Sequence, residues 1–226
     1  MATRAQRTER RTEALSKERI VEAAIEILDT DGEAALTFRA LTARLATGSG
    51  AIYWHVANKS ELLTAATDGV IARVMTGVLP DAGPRETIRA ISAGVFDAID
   101  AHPWVGTQLS REPWQAALLR IFEGFGEQLD TLGVPDRAQF DSASALVSYV
   151  VGLAAQYAAG ARLLAPKTDR RTFLAATAEQ WERRDPAEFP FLNRVADQLR
   201  DHDDRQQFLS GIDLILAGIS LAGTTH

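Results

Sequence analysis

The chain has 226 residues, 46% of them hydrophobic, so a packed core is within reach and wholesale disorder is excluded. It has no cysteine, which removes disulfides, thiolate zinc sites and cysteine nucleophiles from consideration. The net charge of −6 is uneven: residues 1–60 carry nine Lys/Arg against eight Asp/Glu, so the acid lies in the remaining three quarters. A small, locally basic segment on an acidic remainder is compatible with nucleic acid despite the overall sign.

Residues 1–15 read as a flexible basic arm with Arg4, Arg7, Arg10 and Arg11. No apolar run follows it, so it does not read as a signal peptide, and a cytoplasmic protein is expected. Ser16 is an N-cap candidate for a first helix with Ile20, Val21, Ala24, Ile25, Ile27 and Leu28 as its apolar stripe. Asp31-Gly32 ends it, with glycine expected in the left-handed position. Thr37 caps a short second helix expected to bury Phe38, Leu41 and Leu45. Thr47-Gly48-Ser49-Gly50 is a turn, and a third helix runs from Ser49 to His55. Asn58-Lys59-Ser60-Glu61 resembles a capping box, opening a long fourth helix that stops at Leu79–Pro84. Beyond it the spacing predicts helices near 85–101, 103–110, 113–132, 136–164, 168–184, 189–201 and 204–222, separated by proline-containing breaks. No segment shows strand alternation, so the fold class is all-α. Ser142 to Ala161 carries no charge, but its Ala, Ser and Gly content predicts a buried helix, not a membrane span.

Leu36 to Leu63 concentrates the functional signal: a capped short helix, a glycine-containing turn, a second short helix and another cap. Two such helices need a scaffold, which the first and fourth helices supply; the arrangement is a helix-turn-helix. Ile52 and Val56, four residues apart, face inward. Ser49, Gly50, Ala51, Tyr53, Trp54 and His55 occupy the other faces. Aromatic tips can bond phosphates, rings can pack on sugars or thymine methyls, and small residues admit close backbone approach. Lys59 sits where a helix N-terminus and a cation can hold one phosphate together.

The run Leu36-Thr37-Phe38-Arg39-Ala40-Leu41, followed by Ile52-Tyr53-Trp54-His55-Val56-Ala57-Asn58-Lys59-Ser60-Glu61-Leu62-Leu63, closely resembles the tetracycline-repressor (TetR) family. The resemblance is strong over about 16–70. It is weaker over the rest, where His102-Pro103-Trp104, the long helix ending near Leu164 and a final apolar helix are similar to that family branch's C-terminal domain. It implies an arm over 1–15, a three-helix DNA-binding domain over 16–62, and a helical regulatory and dimerisation domain over 63–226. It also implies a homodimer on a palindromic operator, released by a small-molecule effector. By position, Arg39 would read a base or phosphate and Thr37 would bind phosphate. Ser49, Gly50, Ala51, Tyr53, Trp54 and His55 would form the recognition surface, with Lys59 as a phosphate anchor. The departure lies at Gly48-Ser49-Gly50-Ala51, where family members often carry larger or more polar side chains. Each glycine also weakens the helix start by roughly 1 kcal/mol relative to alanine.

In the body, Phe96, His102, Trp104, Arg111, Trp114, Phe122, Phe125, Tyr149, Gln156 and Trp181 are candidates to line an effector cavity, against the plainer reading of ordinary core. The helices 136–164 and 204–222 are apolar nearly all round and are the dimer candidates, through Leu146, Val150, Leu153, Tyr157, Phe208, Ile212, Ile215 and Ile219. Gly152, Ala155, Gly211 and Gly218 would permit close helix approach there. Asp201-His202-Asp203-Asp204 reads as a solvated turn, not a metal site, and Gly48-Ser49-Gly50 lacks the strand and Gly-Lys-Ser/Thr of a phosphate loop. No cofactor is implied. An enzyme with an all-helical pocket is the competing class, and the sequence offers it no nucleophile or metal motif.

Overall fold

The computed structural model describes residues 15–78, 82–111, 115–163 and 170–223, and only the backbone at 154, 155, 157–163 and 221–223. Regular structure among the described residues is helical. In chain order it comprises α1 (Lys17–Asp31), α2 (Phe38–Leu45), α3 (Ser49–Tyr53), α4 (Lys59–Thr76), α5 (Pro84–Ala101), α6 (Pro103–Arg111), α7 (Ala116–Thr131) and α8 (Asp136–Leu163). These are followed by α9 (Arg170–Glu182), α10 (Pro190–Val195), a 3₁₀ turn (Ala196–Leu199) and α11 (Asp204–Gly223). The basic arm lies outside the described residues.

The helix starts follow the local chemistry. The Ser16 hydroxyl accepts from Arg19 N–H, Thr37 from Ala40 N–H, and the Asn58 carbonyl oxygen from Glu61 N–H. The box at α4 closes one residue early: Glu61 Oε2 accepts from Ala57 N–H at 2.8 Å, ahead of the cap residue itself. Gly32 has φ 77 and ψ 176, an extended conformation open to glycine, where the sequence reading expected the left-handed helical one. A left-handed residue does occur, one element later: Ala46 ends α2 at φ 49 and ψ 45. The helix expected over 189–201 is split between α10 and the 3₁₀ turn, whose end is held by Arg200 N–H to Asp197 O at 3.1 Å.

One apolar core runs from α1 to α11. Ile20, Ala24 and Leu28 of α1 meet Leu41, Ile52, Val56, Leu62 and Ala66 at one end; Ile88, Val95, Ile121, Phe125, Leu146, Val150, Phe208 and Ile212 continue it through the body. The second half of α4 is seated tightly between α5 and α7. A Cβ at Gly94 would come within 2.6 Å of Val74 Cγ1, and one at Gly124 within 2.6 Å of Met75 Cε. α11 is tied to α5 by the two-pronged Arg205–Asp97 pair at 2.7 and 3.0 Å. α9, α10 and the 3₁₀ turn pack on each other, burying Leu174, Ala178 and Ala196 outside that core.

Candidate nucleic-acid interface

α2 and α3 are too short to stand alone, at eight and five residues. Leu41 of α2 and Ile52 of α3, both fully buried, pin the pair onto α1 and α4. Val56, 1% exposed, anchors the turn into α4. Once Ile52 is committed inward, helical geometry sends its neighbours out. Ser49, Gly50, Ala51, Tyr53 and Trp54 are all exposed, and His55 is half-buried.

Tyr53 and Trp54 are outward in different ways. Tyr53 is 54% exposed, and its ring stacks on Phe38 with centroids 4.4 Å apart and planes 7° from parallel. Phe38, expected in the core, is half-buried and serves as the platform that aims the Tyr53 hydroxyl. Trp54 is 87% exposed. A side chain of that size left in water carries a large apolar area with an indole N–H donor at one end.

The polar groups around this face divide into paired and unpaired. Arg44 is paired with Glu26 at 2.8 Å and Lys17 with Glu61 at 3.4 Å. Arg39 is exposed and makes no ion pair among the described residues. The Thr37 hydroxyl oxygen is used as a cap, which leaves its hydrogen for an external acceptor. Lys59 is the first residue of α4, as expected, but its half-buried ammonium donates to the Glu33 carbonyl at 2.5 Å. Glu18, at the start of α1, is held below the ordinary glutamate range by its own backbone N–H, then by Ser16 and the nearby His55 charge.

The body candidates do not converge on one place. His102, Trp104 and Arg111 turn toward α1, where they meet Asp29 and Glu33. Phe96 and Tyr149 flank Phe208, at 5.1 and 5.6 Å between centroids. Phe122 lies against the exposed Phe140 at 5.9 Å, and Phe125 is fully buried. Gln156 is exposed on α8, Trp181 is half-buried on α9, and Trp114 lies outside the described residues. The structure also has a cleft of about 490 Å³ between α1 and α4 that the sequence did not signal. Several of its charges are already paired: Lys17 with Glu61, Arg73 with Glu22, and Asp68 with Arg120.

The dimer candidates divide by burial within the single chain. Leu146, Val150, Phe208 and Ile212 are 0–1% exposed within a single chain, so they are spent on its own core. Gly211 likewise admits Tyr149, whose hydroxyl donates to Phe208 O at 3.2 Å. Leu153, Ile215 and Ile219 are half-buried, and the Tyr157 side chain lies outside the described residues. The face left open carries Ala145, Ser148 and Gly152 on α8, with Ser210, Leu214, Ala217 and Gly218 on α11. No helix among the described residues is long and apolar enough to cross a membrane. His202 Nε2 lies 3.1 Å from Asp204 Oδ1, an oxygen it shares with Arg170.

Sequence reasoning missed Asp29 and Glu33. The available signal was acid at the C-terminal end of α1 with no basic residue in its last turn, the wrong sign for a helix dipole.

Comparison with known proteins gives two family matches. Residues 20–66 match the model for bacterial regulatory proteins of the tetR family, and residues 79–222 match the tetracyclin repressor-like C-terminal domain. The tetracycline repressor protein class D of Escherichia coli is 28% identical over 217 residues, covering 92% of this chain and 90% of that protein. The transcriptional regulator SCO7222, a TetR from Streptomyces coelicolor, is 49% identical with a TM-score of 0.85, over 92% of this chain and 99% of that one. A helix-turn-helix regulator of Saccharopolyspora erythraea is 37% identical over 101 residues, 44% of this chain; that match spans only 42% of the relative's length.

Proposed function

The chain belongs to the TetR family of bacterial regulatory proteins, and from that premise we propose that it acts as a dimeric repressor, gripping a palindromic operator until a small molecule enters its helical body. The observation that carries the DNA-binding half is the recognition helix itself. Ile52 is fully buried while Tyr53 and Trp54, its immediate successors, stand in solvent beside the exposed Arg39. In this reading Arg39, Thr37 and the Tyr53 hydroxyl take phosphate or base-edge contacts, and Ser49, Gly50 and Ala51 let the backbone come close. Trp54 and His55 pack on the sugar-phosphate wall. The α4 N-terminus contributes its N–H groups at Lys59, whose ammonium is engaged by Glu33.

A single helix-turn-helix has too small a footprint for a specific operator, so two copies are needed, about 34–36 Å apart along one face of the duplex. The small-residue face of α8 and α11 is the surface proposed to join them, because small side chains let helices approach closely. Release follows if the effector favours the state whose two heads are wrongly spaced.

The test is binding to duplexes selected from a random pool and to the DNA upstream of the chain's own gene, across a salt series. Specific binding about 10³-fold or more above random duplex, with a steep salt slope, is the expected result. Tyr53→Ala should lose the specific part and remain folded. Failure to enrich any sequence from the pool would refute the reading. Operator affinity unchanged at saturation by every compound that stabilises the protein thermally would remove the effector half alone.

A further inference from the structure

At the end of α1 the reading head meets the body through a cluster of polar contacts. Four donors, from His102 and one stripe of α6, converge on two carboxylates at the end of α1. His102 Nδ1 and Trp104 Nε1 both donate to Asp29 Oδ1, at 2.8 and 2.7 Å. Gln108 Nε2 donates to Glu33 at 3.3 Å, and Arg111 Nη1 reaches both of its oxygens at 3.0 and 2.9 Å. Trp104 and Gln108 are both 6% exposed, so their donors are largely shielded from competing water. On its other side, the Glu33 carbonyl accepts from Lys59 at the first residue of α4. The segment 29–33 therefore joins α1, α4 and α6.

Acid is unfavourable at the C-terminal end of α1, which has no basic residue in its last turn. The compensation comes from α6. α2 packs on α1 and α3 on α2, so whatever orients α1 orients the recognition helix. Besides its apolar packing, the α1–α4 contact carries the Lys17–Glu61 and Arg73–Glu22 pairs, each through one nitrogen and one oxygen between exposed side chains, which constrain direction weakly. A guanidinium on a carboxylate and two N–H donors on one oxygen do fix an angle.

We propose that Asp29 and Glu33 are positioning residues for operator reading: held by His102, Trp104, Gln108 and Arg111, they set the angle of the head on the body and hence the separation of the two recognition helices. The proposal rests on the dimeric, operator-binding reading above. Loss of these contacts leaves the recognition face intact and lets it take more than one angle.

The experiment uses the full chain, wild type and Asp29→Asn/Glu33→Gln, with the selected operator. The two half-sites are moved together or apart by one base pair, a step of about 3.4 Å and roughly 35°. An isolated half-site is the control. Wild type should favour one spacing by about tenfold or more. The double variant should keep half-site affinity within about threefold, yet discriminate spacings several-fold less. Trp104→Phe/Arg111→Gln, which removes donors from the other side, should give the same flattened profile; it also serves as the test if the first variant fails to fold. An unchanged spacing profile in a folded variant overturns the proposal. If the wild type itself selects no paired half-sites, the dimeric-operator reading fails first and takes this inference with it.

Discussion

The two most exposed large apolar side chains among the described residues, Trp54 and Leu214, sit in surroundings of opposite chemistry. On α3, Trp54 is 87% exposed beside Tyr53, Arg39 and Thr37, a face of aromatic rings with polar tips and an exposed cation. On α11, Leu214 is 75% exposed among the exposed Ser210, Ala217 and Gly218, and the neighbouring α8 exposes Ala145, Ser148 and Gly152. Exposure alone does not identify a partner surface. The side chains are more specific: polar-tipped aromatics suit a phosphate-lined groove, and small residues around one leucine suit another pair of helices.

Substitutions that separate stability from assembly test this contrast most strongly. Leu214→Arg puts a charge in the centre of the small-residue face and should yield a folded monomer by light scattering. Losing the linked second head should weaken operator binding by about 10²-fold or more. A variant that stays dimeric would move the interface off α11. On the other face, Trp54→Ala should cost operator affinity about tenfold, while chemical denaturation shows a stability change within about 0.5 kcal/mol. Tyr53→Ala should lose both, because its stack on Phe38 contributes about 0.5–1.5 kcal/mol to the fold itself. Equal stability losses for the two aromatics would erase the distinction between a supported contact and a free one.

The smallest effect concerns pH. Glu61 is held below the ordinary glutamate range, first by the Ala57 N–H and then by Lys17. A carboxylate with a lowered native pKa adds stability above its unfolded value and loses it as pH falls through its native one. Thermal stability should therefore show an acid-side decline, below the ordinary glutamate range, that Glu61→Gln makes shallower. An identical acid limb in the variant would show that the cap at α4 does not depend on the charge.

Much of the reading head is legible in the amino-acid order alone. Ser16, Thr37 and Asn58 act within three residues of themselves, so the sequence exposes them directly. The inward pair Ile52 and Val56 likewise follows from helical spacing. The body is legible as a set of helices but not as an arrangement. α8 and α11 are apolar around most of their circumference, and periodicity cannot rank one apolar face above another. Only packing reveals that Leu146, Val150, Phe208 and Ile212 are turned inward, leaving the small residues outside.

The sequence by itself determined the all-α class, the helix-turn-helix and its exposed residues, because caps, turns and amphipathic stripes are short-range. Tertiary structure decided which residues His102, Trp104 and Arg111 serve. Their partners lie 73, 75 and 78 positions away, a separation at which no local pattern couples one side chain to another. It also decided that Lys59 points at Glu33, since a lysine at a helix start has reach enough for either a phosphate or a carbonyl, and the nearer acceptor is set by how α1 and α4 cross.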